Sequence, residues 1–210
     1  LIGPNGAGKT TLFSCINGTL PIDAGRLYFR GNEVTGKKAY ELAALGICRS
    51  YQVVKPFRHM TVLQNAMVGA FCKEKSRRAA EGIALEALRM TDLYEKRDAQ
   101  ASVLNLGESK RLEIAKALST RPKLLLLDEV MAGLLPAEVQ AMSAIIKSIN
   151  EAGVTILLIE HIMEAVMALS NKIVVLNFGK KLAEGTAAEI VKNKAVIDAY
   201  FGTEEEEIHA

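Results

Sequence analysis

The chain has 210 residues and a formal net charge of +2, and 50% of its residues are hydrophobic. This composition is typical of a globular protein with room for one large domain, and the near-neutral charge favours neither a nucleic-acid-binding nor a membrane-binding surface. The 3 cysteines are widely spaced and form no C-x-x-C pair, which is typical of buried thiols in a reducing compartment. No apolar run reaches about 18 residues, so the sequence predicts no membrane-spanning helix.

The first motif along the chain is a phosphate-binding loop of the pattern G-x-x-x-x-G-K-[ST], which follows the apolar pair Leu1-Ile2. Its glycines allow consecutive backbone N–H groups to turn toward one anion, and the helix that follows adds its positive dipole end. Lys9 is expected to reach the β- and γ-phosphates of a nucleotide, and the Thr10 hydroxyl to bind Mg²⁺. The alternative is a glycine-rich turn without a ligand. The predicted nucleotide contacts are Gly3, Pro4, Asn5, Gly6, Ala7, Gly8, Lys9, Thr10 and Thr11.

Only Leu1 and Ile2 precede this loop, although the strand before such a loop normally lies in the middle of its sheet. The chain also has no initiator methionine. We therefore expect it to be a fragment that lacks its N-terminal strands.

Strand-like and helix-like segments alternate along the chain, which predicts an α/β fold with a largely parallel sheet. From residue 61 to 90 only helix periodicity is found, and it opens with a capping box of Thr61 and Gln64. We therefore predict an α/β core, residues 1–53 and 121–210, interrupted by an inserted helical subdomain, residues 54–120. In chain order, the predicted elements are helix 11–16, strand 26–30, helix 38–45, strand 46–51, helical segments within 61–90, helix 108–119, strand 124–127, helix 136–150, strand 154–159, helix 162–169, strands 173–176 and 180–184, and helix 187–201.

Two acidic residues, Asp128 and Glu129, follow a run of four leucines that is typical of a central parallel strand. Such a strand places both carboxylates at its carboxyl edge, where the phosphate-binding loop also lies. Asp128 is expected to hold Mg²⁺ through water, and Glu129 to polarise an attacking water as general base. The alternative is a pair of solvated acids at the end of a strand.

About 119 residues separate Lys9 from Asp128, and the helical segment fills this interval. In this organisation the chain resembles the ATP-binding cassette (ABC) ATPases, which are P-loop NTPases. The resemblance places Gln52 at the position of the family's Q-loop glutamine, which also contacts Mg²⁺, and His161 at that of its switch histidine. Segments typical of the ATPase subunits of branched-chain amino-acid importers are 46–52, 57–65, 111–118, 159–163 and 196–202.

The chain departs from the family in the part of the site that faces a partner subunit. The signature loop, LSGGQ in the family, reads Leu-Asn-Leu-Gly-Glu over residues 104–108, so Asn105, Gly107 and Glu108 are the expected nucleotide contacts there. A carboxylate at Glu108 suits the helix dipole, but we expect it to repel an incoming triphosphate. Leu135 occupies a position where the family has Asp or Asn, and it cannot form a side-chain hydrogen bond.

The resemblance implies an ATP-binding and ATP-hydrolysing subunit of a membrane importer for branched-chain or other amino acids, with Mg²⁺ as cofactor. The implied partners are transmembrane permease subunits, docked near residues 53–67, and a second ATPase subunit in a heterodimer. The expected location is the cytoplasmic face of the inner membrane, with membrane contact only through the permease and no nucleic-acid partner. The alternatives are a hydrolytically weak regulatory subunit and a soluble cassette ATPase that acts on nucleic acid.

Overall fold

A computed structural model describes residues 1–50 and 55–201 of the chain. The strands are β1 (Tyr28–Phe29), β2 (Asn32–Glu33), β3 (Ile47–Arg49), β4 (Leu124–Asp128), β5 (Thr155–Ile159), β6 (Ile173–Asn177) and β7 (Lys180–Gly185). The α-helices are α1 (Lys9–Ile16), α2 (Ala39–Leu45), α3 (Val62–Ala70), α4 (Arg77–Met90), α5 (Leu106–Leu118), α6 (Pro136–Glu151), α7 (Met163–Leu169), α8 (Ala187–Val191) and α9 (Lys194–Phe201). Short 3₁₀ turns lie at Tyr94–Lys96 and Ala101–Val103.

The central sheet has a parallel core, as the sequence predicts. Strands β3, β4 and β5 pair in parallel in that order, and β7 pairs antiparallel with β6. The segment Leu1-Ile2 joins the two groups, because Ile2 pairs in parallel with Val175 of β6 and the Leu1 nitrogen donates to the Leu158 carbonyl of β5 at 2.7 Å. The segment that enters the phosphate-binding loop therefore lies between β5 and β6, and the loop opens at the same edge as the ends of β4 and β5.

Helices α3, α4 and α5 pack on one another within residues 55–120. Their contact is close at Gly69 of α3, where a Cβ atom would lie 2.1 Å from the Lys116 carbonyl oxygen of α5. The apolar cluster of these helices is continuous with Leu125 of β4 and Ile146 of α6. The helical segment thus shares its core with one face of the sheet, and its boundaries at residues 54 and 120 stay a prediction.

Two local differences from the sequence prediction lie at the β1–β2 hairpin and at the C-terminal helices. The strand predicted at 26–30 is one arm of an antiparallel hairpin, β1–β2, which the sequence reading missed. The helix predicted at 187–201 is divided into α8 and α9, because the Asn193 side chain accepts from the Val196 N–H at 3.3 Å and caps a new helix. The helical segments predicted within 61–90 are observed as α3 and α4, and the predicted capping box at Thr61 and Gln64 is confirmed.

Among residues 1–50 and 55–201, no helix combines the length and the apolar character that crossing a bilayer requires.

Candidate active site

The phosphate-binding loop curls around the side chain of Lys9, the first residue of α1. The Lys9 ammonium donates to the carbonyl oxygens of Gly3 at 2.7 Å and Pro4 at 2.9 Å, and the residue is only 6% exposed. Burial lowers the pKa of Lys9, and this effect outweighs the opposing influence of the Glu129 and Asp128 carboxylates. The loop therefore holds one desolvated positive charge beside the helix N-terminus, an arrangement suited to phosphate.

Glycine is required in this loop at Gly3, where φ is +154°. A Cβ atom there would lie 2.2 Å from the Leu176 carbonyl oxygen of β6. Thr10 and Thr11 follow in the first turn of α1 and are exposed, so both hydroxyls are accessible from solvent.

Asp128, the last residue of β4, is buried and forms an ion pair that the sequence reading missed. Its Oδ2 lies 2.5 Å from Nη2 of Arg49, and the two side chains are 1% and 6% exposed. Arg49 ends β3, also donates to the Ser14 hydroxyl at 3.0 Å, and lies over the Phe13 ring at 5.7 Å. A charged residue at the end of a buried strand could have suggested a buried ion pair. Which residue is the partner of Arg49, however, depends on how the strands pair in the sheet.

The other Asp128 oxygen, Oδ1, is buried and has no hydrogen-bond partner in the described part of the chain. A buried carboxylate oxygen without a donor fits a hard cation bound through water. Within the same residues no group of three or more His, Cys, Asp and Glu side chains could hold a metal. Mg²⁺ needs no such group, because it is usually bound by one or two carboxylates together with substrate phosphates.

Glu129 and His161 come together beyond the ends of β4 and β5. Oε1 of Glu129 lies 2.9 Å from Nε2 of His161. The Glu129 N–H donates to the Ile159 carbonyl at 2.9 Å, so the parallel pairing of the two strands continues for one more residue. Glu129 has φ +49°, which is uncommon for a residue with a side chain and is frequent at functional sites. Gln52, the third predicted catalytic residue, lies outside the described residues.

Lys110 and Glu160 are buried beside Glu129 and were not singled out from the sequence. Burial lowers the pKa of Lys110, although the Glu160 and Glu129 carboxylates oppose this effect. Burial also raises the pKa of Glu160, although the N–H groups of Met131 and His161 and the Lys110 ammonium oppose it. Glu160 directly follows an apolar strand, which was an available signal, whereas Lys110 lies among polar residues and gave none.

The signature loop is closed by a capping box at the N-terminus of α5. Asn105 Oδ1 accepts from the Glu108 N–H at 2.8 Å, and Glu108 Oε2 accepts from the Asn105 N–H at 3.2 Å. Lys96 donates to the other Glu108 oxygen, and Glu108 is 9% exposed. Although burial raises the pKa of Glu108, these donors outweigh it and the pKa lies below its usual value.

The contacts of Glu108 bear on its expected repulsion of an incoming triphosphate, which stays a prediction. The carboxylate is turned back into α5, where its charge is paired with Lys96 and a backbone N–H. A Cβ atom at Gly107 would lie 2.8 Å from Glu138 Oε1, the end of a flexible side chain on α6. The apolar side chains of Leu106 and Leu135 remain 50% and 68% exposed at the start of the two helices.

Comparison with known protein families gives two matches. Residues 1–132 match the family described as ABC transporter, and residues 180–206 match the branched-chain amino acid ATP-binding cassette transporter family. The chain is 41% identical over 218 residues to the high-affinity branched-chain amino acid transport ATP-binding protein LivG of Escherichia coli, covering 96% of this chain and 86% of the relative. It is 39% identical, with the same coverage, to the protein BraF of Pseudomonas aeruginosa, which carries the same description.

Solved structures with the same fold are ATP-binding cassettes. The ADP conformation of MJ1267, a cassette of an ABC transporter, superposes with a TM-score of 0.85 at 32% identity, covering 96% of this chain and 86% of that one. A nucleotide-free cassette from an ABC transporter gives a TM-score of 0.83 at 31% identity, with 96% and 87% covered.

Proposed function

The chain belongs to the ABC transporter family, and we propose that it is the ATP-hydrolysing subunit of an importer for branched-chain amino acids. It is an ATPase subunit by family, and the proposed cargo is that named for its relatives LivG and BraF. The match of residues 180–206 to a family described for branched-chain amino acid transporters supports the same cargo.

The proposed chemistry is transfer of the γ-phosphoryl group of ATP to water. Lys9 and the N-terminus of α1 bind the phosphates, Glu129 accepts a proton from the attacking water, and His161 orients the Glu129 carboxylate. The observation that carries this assignment is the 2.9 Å contact between Glu129 and His161 at the edge of the sheet where the phosphate-binding loop opens.

Mg²⁺ is the proposed cofactor, with Asp128, Thr10 and Gln52 as the residues that would hold it. The assignment of Asp128 is supported by its buried Oδ1, which has no hydrogen-bond donor within the described ranges. When bound, Mg²⁺ supplies charge neutralisation on the transferred phosphoryl group.

The test is the turnover of the variant Glu129→Gln in the assembled transporter. Loss of the general base should lower kcat by roughly 10²-fold while ATP still binds. Lys9→Ala should instead abolish ATP binding, because the charge on the phosphates is lost. The matched control is Glu151→Gln, because the Glu151 side chain is 65% exposed on α6. Unchanged turnover in Glu129→Gln would remove Glu129 from the mechanism.

We also propose that the subunit works as a heterodimer with a second ATPase and with transmembrane permease subunits at the cytoplasmic face of the inner membrane. In the family each ATP lies between the phosphate-binding loop of one subunit and the signature loop of the other. This chain offers Leu106 and Leu135 to the partner's ATP, and both are apolar and exposed. A partner with a polar signature loop would complete the site around Lys9, whereas two copies of this chain would have two incomplete sites.

The heterodimer is tested by ATPase measurement on this subunit alone and after addition of the second ATPase. One missing charged hydrogen bond corresponds to about 1.5–3 kcal/mol, so the mixture should be roughly 10-fold or more faster per site. Equal rates for the isolated subunit and the mixture would contradict the heterodimer. Slow hydrolysis in both would favour the regulatory alternative, in which the subunit binds ATP but hydrolyses it weakly.

A further inference from the structure

Two oppositely charged side chains, Lys110 and Glu160, are buried on either side of the loop that carries Glu129. Lys110 is 5% exposed and Glu160 is 2% exposed. Lysine and glutamate are almost never buried to this degree without partners, because removing a charge from water costs several kcal/mol. Both side chains are therefore expected to have specific partners.

Lys110 connects α5 to this loop through backbone carbonyl groups. Its ammonium donates to the Ala132 oxygen at 2.5 Å and to the Glu129 oxygen at 3.3 Å. Lys110 is also on the helix that begins at the signature loop, five positions after its N-cap Asn105. The lysine thus links the position of the signature helix to the backbone of the predicted general base.

Glu160 holds the same loop from the side of β5 through backbone N–H groups. Its Oε1 accepts from the Met131 N–H at 2.8 Å, and its Oε2 accepts from the His161 N–H at 3.3 Å. One carboxylate therefore fixes the backbone of the Glu129 loop and that of His161 relative to each other. This is the pair whose side chains meet at 2.9 Å.

The loop needs such support because Glu129 has a positive φ of +49°. A left-handed conformation of a residue with a side chain is strained and persists only where the surrounding structure determines it. Charge-assisted hydrogen bonds from Lys110 and to Glu160 satisfy the carbonyl of Glu129 itself and backbone groups two and three residues after it.

We propose that Lys110 and Glu160 are positioning residues, which hold the Glu129 carboxylate against His161 and in line with the attacking water. Neither side chain needs to touch the nucleotide for this role. The inference rests on the proposed function, because it takes Glu129 as the general base.

The experiment compares Lys110→Met, Lys110→Arg and Glu160→Gln with wild type in the assembled transporter, measuring kcat, KM and ATP affinity. A displacement of about 1 Å at a reacting group can cost about 10²-fold in rate. Lys110→Met should therefore lower kcat by roughly 10- to 100-fold, with ATP affinity within about twofold of wild type. Lys110→Arg retains the donors and should recover most of the rate. Glu160→Gln retains one acceptor oxygen and should lose about tenfold.

The control is Lys147→Met on the surface of α6, where the Lys147 side chain is 70% exposed. Thermal melts establish that each variant is folded. If Lys110→Met does not fold, Lys110→Arg and Glu160→Gln still test the positioning role. A lower rate in Glu160→Gln at unchanged ATP affinity would then support it.

The decisive readout is Lys110→Met combined with Glu129→Gln. If Lys110 acts through Glu129, its substitution should change the residual rate of Glu129→Gln less than about twofold, since groups that act as a unit are not additive. A full 10-fold further loss in the double variant would overturn the proposal, and so would wild-type kcat in both Lys110→Met and Glu160→Gln. If Glu129→Gln itself has wild-type turnover, the proposed function fails instead, so the two failures are distinguishable.

Discussion

Removing one partner of the buried ion pair between Arg49 and Asp128 should be one of the most destabilising single substitutions in the core. The substitution Arg49→Met removes the guanidinium but keeps a long apolar side chain that still packs on Phe13. It leaves the Asp128 carboxylate, which is 1% exposed, without its partner at 2.5 Å. It also removes the 3.0 Å hydrogen bond to the Ser14 hydroxyl.

The magnitude follows from the burial of both groups. Removing one member of a buried ion pair typically costs about 3–5 kcal/mol, because the other charge stays buried without compensation. The free energy of unfolding of a domain is about 5–15 kcal/mol, so this is a large share of it. For a chain of this size the melting temperature should fall by about 6–20 °C.

The assay is equilibrium urea unfolding followed by far-UV circular dichroism, because the chain has no tryptophan to report on folding. The matched control is Arg111→Met, which removes an ion pair of 2.7 Å to Asp92, whose side chain is 84% exposed. An exposed pair of this kind contributes about 0–1 kcal/mol. The two substitutions are chemically identical and differ in the burial of the partner carboxylate.

The double variant Arg49→Met with Asp128→Asn, together with the two single variants, forms a double-mutant cycle. Neutralising Asp128 should restore part of the stability lost in Arg49→Met, because the uncompensated charge is then removed. The reasoning is refuted if Arg49→Met costs no more than Arg111→Met, or if the effects of Arg49→Met and Asp128→Asn simply add.

Two further predictions concern the phosphate-binding loop and the signature helix. Gly3→Ala should lower the free energy of unfolding by at least about 1–3 kcal/mol and weaken ATP binding, because its Cβ would lie 2.2 Å from the Leu176 oxygen. By contrast, Gly82→Ala within α4 meets nothing within 4 Å and should stabilise by about 1 kcal/mol, which a thermal melt of both variants checks. The pKa of Glu108 lies below its usual value of 4.5, so its charge contributes stability above pH 4.5 that is lost as the pH falls through the folded-state pKa. Wild type should therefore exceed Glu108→Gln in stability near neutral pH and approach it in acid, and a difference independent of pH would contradict the paired charge.

Much of the fold and part of the candidate site could be predicted because the relevant signals are local. The phosphate-binding loop needs glycines at set positions in one short segment. At Gly3, for example, a Cβ atom would clash with the Leu176 carbonyl oxygen. The acidic pair Asp128-Glu129 follows directly on a strand whose leucines are buried on both faces. Alternation of strand and helix likewise predicted the α/β class, which the cassette structures of the same fold confirm. Where local signals were weak, at β2 and at the division between α8 and α9, the prediction was incomplete or wrong.

Local sequence patterns are enough to predict the α/β class, the phosphate-binding loop motif and the acids at the end of β4. Which charges face one another depends on the assembled fold: Arg49 meets Asp128, 79 residues away, and Lys110 and Glu160 lie around the Glu129 loop. These contacts depend on the register of β3, β4 and β5 and on the packing of α5. The same holds for Glu108: the sequence shows that the residue is charged, but not that its carboxylate pairs with Lys96. A side chain's identity is local, whereas its partner is set by elements that meet only when the whole sheet and its helices are assembled.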